Sequence, residues 1–202
     1  MISLALLAAV VLDAASIAQT SATLNALGPH PFGSPRNRVA AEFVEAKLKE
    51  AGLAQTALEE FVFQGEAGAN VVARLQGRTD RLLIIATHHD SGREAQDVSD
   101  RSRSLSLLIE MGRQAASLRP ARTWILASFD GGESNGQGLS AYLEALGKSK
   151  SLVDGVLLID AASQAASEHA PSLIAPASRC GDDSGGPAIA GRDLASSPHG
   201  AA

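Results

Sequence analysis

Three stretches of the sequence end an apolar run on residues that bind metals or move protons. RLLIIAT (residues 81–87) is followed by His88, His89 and Asp90, TWILASF (123–129) by Asp130, Gly131, Gly132 and Glu133, and GVLLI (155–159) by Asp160. Between the first two lie Asp97 and Asp100, in a loop directly before a helical pattern that starts near Ser102. Imidazole nitrogen and carboxylate oxygen are ligands that zinc accepts, and two zinc ions ~3.5–4 Å apart can share a bridging carboxylate. If these groups converge, the chemistry they suit is hydrolysis by a metal-activated water. Taken singly, each has a plainer reading. An Asp after a strand is usually a turn former or a helix cap, and an exposed His usually has no role. The recurrence at successive strand ends is what favours a common site.

The elements that must position these residues alternate. Residues 37–51 (NRVAAEFVEAKLKEA) carry apolar positions at helical spacing, with Asn37 suited to the N-cap and Gly52 to the stop. A turn-rich lead-in, GPHPFGSP, precedes them at residues 28–35. Strands are predicted at 59–63, 70–75, 81–86, 123–129 and 155–159, and further helices at 102–118 and 139–146. Strands alternating with helices indicate an α/β domain, in which ligands collect beyond the carboxyl ends of the strands.

Composition bounds the function classes. The chain of 202 residues has 17 Lys+Arg against 22 Asp+Glu and a net charge of −5, with no basic cluster of the kind a nucleic-acid binder needs. Its one cysteine, Cys180, rules out an internal disulfide and a Cys-based zinc finger. The apolar run at residues 2–12 is too short for the ~20 residues of a membrane-spanning helix. It suits a signal h-region, with small residues for cleavage at Ser16-Ile17-Ala18, but lacks a basic flank. Residues 1–18 therefore read either as a signal or anchor, making the protein secreted, periplasmic or membrane-anchored, or as a helix packed on a cytoplasmic domain. Membrane contact is expected only through such an anchor. In residues 161–202, Ala, Ser, Gly and Pro make up 28 of 42 positions and there is no aromatic residue, so this segment is expected to be a disordered tail. A change of reading frame near its start is the alternative.

Over residues 24–160 the sequence resembles the M28 family of zinc aminopeptidases. ALGPHPFGSP followed by AAEFVEAKLKEAGL is similar to the family's lead-in, IIATHHDS to its His-x-Asp motif, and DRSRSLSLLIEMGR to its Asp-containing loop and following helix. ASFDGGESNGQGLSAYL resembles the Phe-Asp-Gly-Glu-Glu segment, with Gly138, Ala141 and Tyr142 in register, and LLID the last carboxylate motif. The resemblance implies an α/β/α sandwich around a central mixed, mostly parallel sheet, with residues 19–160 as an incomplete peptidase domain whose C-terminal part is missing. It implies zinc held by His88, Asp100, Glu133 and Asp160, with Asp100 bridging and Asp90 orienting His88. The implied substrate is a peptide or amino-acid derivative.

The departures from the family fall on the chemistry. The family's general-base Glu is replaced by Gly132, which has nothing to accept a proton. The family's downstream His ligand has only His169 and His199 as candidates, neither in a strand-like context. Arg101 and Arg103 flank the bridging position, where they compete for carboxylates and repel a cation. One zinc ion rather than two, or none, is expected. The expected function is a zinc-dependent exopeptidase with weak or no activity; the alternatives are a non-catalytic M28-like binding or interaction domain, and an incomplete gene product.

Overall fold

A computed structural model describes residues 12–160. The expectations for residues 2–11 and for the tail at 161–202, with His169, Cys180 and His199, lie outside the described residues.

Five strands form one mixed sheet in the order β1-β2-β4-β3-β5. They are β1 (Thr56–Phe63), β2 (Glu66–Leu75), β3 (Thr79–His88), β4 (Arg122–Phe129) and β5 (Val153–Leu158). β1–β2 and β2–β4 pair antiparallel, whereas β4–β3 and β3–β5 pair parallel, with Ile84 opposite Ile125 on one side and Val156 on the other. All five predicted strands are present. β1 and β2 start earlier than expected because they form a hairpin, turned by Gln64 (φ 51°) and Gly65 (φ 84°). Two successive positive φ angles define the turn whose twist matches that of the flanking strands.

Helices cover both faces, and the period of two along each strand decides which residue goes to which face. Val71, Ala73, Ile85, Trp124 and Leu126 join Val44 and Leu48 of α2 (Pro35–Glu50) and Leu105 and Leu108 of α3 (Ala95–Ala115). The alternate residues Val72, Ile84, Ala86, Ile125, Ala127 and Phe129 pack with Tyr142 of α4 (Gln137–Leu146) on the other face. This is the expected α/β/α sandwich. Gly112 of α3 sets the closeness of that layer, since a Cβ there would stand 3.0 Å from Leu48 Cδ2 and 3.1 Å from Leu53 Cδ1.

Two helix starts differ from expectation. α2 begins at Pro35, whose fixed φ suits the first helical position, and Ser34 Oγ caps it by accepting Asn37 N–H at 3.2 Å. Asn37 is therefore not the cap and is released for another role. α3 begins at Ala95 rather than near Ser102, so Asp97 and Asp100 lie in its first turns and not in a loop. Asp97 Oδ2 accepts Glu94 N–H at 3.4 Å, which favours the early start. The buried stripe Val98, Ser102, Leu105, Ile109 continues at helical spacing through a serine that a hydropathy reading passes over.

The first described helix, α1 (Ala14–Asn25), crosses the boundary drawn at residue 18 and packs along α3. Asp13 caps it through Oδ1, and Asp13 N–H reaches across to the buried Glu110 at 3.0 Å. Among the described residues no helix is long and apolar enough to cross a membrane.

Chain connectivity places the site. β3 leads through α3 on one face to β4, and β4 leads through α4 on the other face to β5, which lies on the far side of β3. The carboxyl ends of β3 and β4 are thus adjacent while their connections diverge to opposite faces, which opens a crevice at that point.

Candidate active site at the ends of β3, β4 and β5

His88 is the last residue of β3, and its Nδ1 stands 3.1 Å from Asp90 Oδ1. Asp90 is fully buried and accepts two backbone N–H groups from the loop after β4, Gly132 at 2.6 Å and Glu133 at 2.9 Å. Burial pushes its carboxyl up, but the His88 ring and the Glu133 and Gly132 amides outweigh that and hold it below the ordinary carboxylate value. An ionised carboxylate only accepts, so the proton between the two groups sits on His88 Nδ1. His88 Nε2 then faces Glu133 Oε1 at 3.8 Å.

Gly132 meets the same ring. A Cβ built on its backbone would lie 2.2 Å from His88 Cγ and 2.3 Å from His88 Nδ1. Its φ is outside the left-handed region, so the backbone itself admits a side chain. The imidazole, rather than strain, fills the space in which a residue at 132 would start.

The carboxylates are engaged by arginines. Arg101, with 6% of its side chain exposed, donates from Nη2 to Glu133 Oε1 at 3.1 Å, and its Nη1 stands 3.6 Å from Asp160 Oδ1. Arg103 donates to Asp100 one turn earlier in α3. Zinc would need ligand atoms at about 2.0–2.2 Å from a shared centre. Among the described residues no three His, Cys, Asp or Glu side chains are grouped so that they could hold a metal ion. With a guanidinium against two of the oxygens, the described residues as arranged do not fit a zinc ion. Glu133 and Asp160 are drawn together by Arg101 with His88 beside Glu133, while Asp100 takes a hydrogen bond from Arg103.

Behind this layer is a second one that the sequence reading left without a role. Asp130 Oδ1 accepts from Asn37 Nδ2 at 2.6 Å and from Gly131 N–H at 2.8 Å, and its Oδ2 accepts Ala69 N–H at 3.0 Å. Asn70 accepts Asp130 N–H at 3.0 Å and donates to Gly138 O at 2.8 Å. Burial pushes the Asp130 carboxyl up, and the nearby His89 ring, the Ala69 amide and Asn37 bring it below its ordinary value. His89 is buried, with Nδ1 3.0 Å from Ser128 Oγ and Nε2 3.7 Å from Asp130 Oδ1. The lead-in is fastened too, by His30 N–H to Ser91 Oγ at 3.0 Å and Ser91 N–H to His30 O at 3.2 Å. Burial holds the His30 ring below its ordinary pKa. The available signal was composition: polar residues of capping type, Asn37 and Asn70, inside segments that must be buried.

A cleft of about 450 Å³ opens between the β1–β2 turn and the loop after β4, lined by Phe32, Phe63, Gln64, Glu66 and Asn135 among others.

Comparison with known proteins places this geometry. An aminopeptidase from Aneurinibacillus sp. strain AM-1 is 13% identical with a TM-score of 0.64, over 74% of this chain and 70% of that one. A Zn-dependent exopeptidase from Parabacteroides distasonis is 15% identical with a TM-score of 0.62, over 74% and 62%. The glutaminyl cyclase of Porphyromonas gingivalis is 16% identical with a TM-score of 0.62, over 74% and 59%. The chain therefore spans less than two thirds of the length of the exopeptidase and of the cyclase. No curated protein sequence matches significantly. The profile of peptidase family M28 matches residues 70–179, more than half of the sequence and the part that carries β3, β4, β5 and their polar ends, so the chain belongs to peptidase family M28.

Proposed function

We propose that this chain is a peptidase-type domain whose hydrolytic centre is impaired at the step that activates water. The observation that carries the reading is the His88 ring standing where a side chain at Gly132 would begin. A general base contributes typically ~10²–10⁴ in rate, and among the described residues the ionisable groups nearest position 132 are already engaged. His88 spends Nδ1 on Asp90, and Glu133 is engaged by Arg101. The substrate class is a peptide or amino-acid derivative. The adjacent cleft presents two phenylalanines, polar side chains and the Glu66 carboxylate.

The test is release of arylamine from amino-acid arylamides by the purified full chain with zinc added. Hydrolysis at the uncatalysed background is the expected result. A kcat/KM within the ordinary enzyme range of ~10⁴–10⁸ M⁻¹s⁻¹, abolished by His88→Ala, would overturn the proposal. A second reading, a non-catalytic binding or interaction domain, is favoured by the guanidinium held among the site carboxylates. Retention of a peptide by a chain that does not cleave it would support that reading.

A further inference from the structure

We propose that Arg101 takes the electrostatic place of a metal ion in this site, and that its guanidinium is what keeps zinc from being held by His88, Glu133 and Asp160. The inference rests on the site as read above but not on whether hydrolysis is lost, because metal uptake is measured separately from turnover.

Arg101 projects from the second turn of α3, between the ends of β4 and β5. One guanidinium contacts Glu133 Oε1 at 3.1 Å and Asp160 Oδ1 at 3.6 Å, and the same Glu133 oxygen lies 3.8 Å from His88 Nε2. Residues from the ends of β4 and β5 thus contact a single cation supplied by the chain, and His88 from the end of β3 reaches the same Glu133 oxygen. The side chain is buried, so its charge is poorly screened by water, and among the described residues its Nε and Nη1 atoms have no hydrogen-bond partner. A guanidinium whose remaining donors are unused is held there by charge rather than by a complete hydrogen-bond set. The charge belongs to the chain itself, so a chelator cannot remove it. A divalent ion seeking the same oxygens would meet a fixed positive charge at contact distance, where repulsion in a partly buried site is large. Arg103 reinforces the effect by holding Asp100. The carboxylates are thereby neutralised by residues of the fold, and folding becomes independent of zinc.

The experiment is zinc titration by calorimetry, with thermal unfolding in parallel, on the full chain and on Arg101→Met, which keeps bulk and removes charge. The wild type is expected to take up well under one equivalent and to melt at the same temperature with zinc or with a chelator. Arg101→Met is expected to bind zinc at least about 100-fold more tightly, with a melting temperature that zinc raises and a chelator returns, and to lose both on adding His88→Ala. Stoichiometric zinc in the wild type, lost on His88→Ala, overturns the proposal. So does a folded Arg101→Met chain that still fails to bind. If Arg101→Met does not fold, Arg101→Gln gives the same comparison with a polar side chain; and if neither variant folds even with zinc present, a metal cannot replace the guanidinium and the proposal also fails. Hydrolysis without zinc uptake would instead overturn the proposed function while leaving this inference intact.

Discussion

Asp90 accepts the Gly132 N–H at 2.6 Å, so a carboxylate from the end of β3 fastens the loop that leaves β4. With the Glu133 N–H and the His88 ring on the same group, one buried acid sets the relative position of both halves of the crevice. Asp90→Ala leaves two part-buried amides and an imidazole without their acceptor. The expected loss is about 3 kcal/mol of unfolding free energy, read from urea melts. A loss no larger than that of a surface substitution, ~0.5 kcal/mol, would show that the two loops are held independently.

Gly132→Ala forces a methyl group into the His88 ring, since the Cβ position is 2.2 Å from Cγ. Overpacking of this kind costs about 1–3 kcal/mol. The His88 Cβ is itself 2.6 Å from that position, so the penalty should largely disappear only in a His88→Gly background, giving a coupling that a double-mutant cycle measures. A penalty of the same size in both backgrounds would locate the obstruction elsewhere.

Asp130 organises the layer behind the site through Asn37, Gly131 and Ala69. Asp130→Ala is expected to cost about 3 kcal/mol, and Asn37→Ala about 1–2 kcal/mol for its one hydrogen bond to a charged group. Amide hydrogen exchange supplies the second readout. The Ala69 and Gly131 amides should lose protection in Asp130→Ala, and retention of protection there would dismiss the network.

Glu110 is held at a pKa of about 2 against an ordinary 4.5. Its burial acts the other way, but Arg113, Gln114 and the Asp13 amide outweigh it. Because the folded value is depressed, its contribution is present in full above pH 4.5 and is lost as the pH falls towards 2. With Arg113 partly exposed the contribution is about 1–3 kcal/mol. Wild type and Glu110→Gln should therefore differ by that amount in neutral solution and converge in acid. A constant difference across the range would assign the effect to packing of α1 on α3.

The sandwich was readable because each strand is an apolar run and α2 carries its stripe in one continuous pattern. The start of α3 was not, because its first two turns bury Val98 among Asp97, Asp100, Arg101 and Ser102, and polar residues mask helical spacing. The clustering of His88, Glu133 and Asp160 was legible from their places at strand ends, and the contacts of Arg101 and Arg103 with carboxylates from their neighbourhood. What no local pattern could show is which acid each arginine takes, since Arg101 reaches 32 positions along the chain to Glu133. The Asn37–Asp130 bond, whose partners are 93 positions apart, was hidden for the same reason. Asn37 offered an obvious local role as a cap, and Ser34 had already filled it.

The fit of the His88 ring over Gly132 makes the change at that position hard to reverse by inheritance. A single codon change returning a glutamate would first displace an imidazole that Asp90 holds, lowering stability before any catalytic advantage appears. With Arg101 still against Glu133, a glutamate at 132 would stand beside a carboxylate already engaged by a guanidinium. Any lineage that gains a larger residue at 132 must therefore first re-site the imidazole, so the order in which substitutions can accumulate here is set by packing.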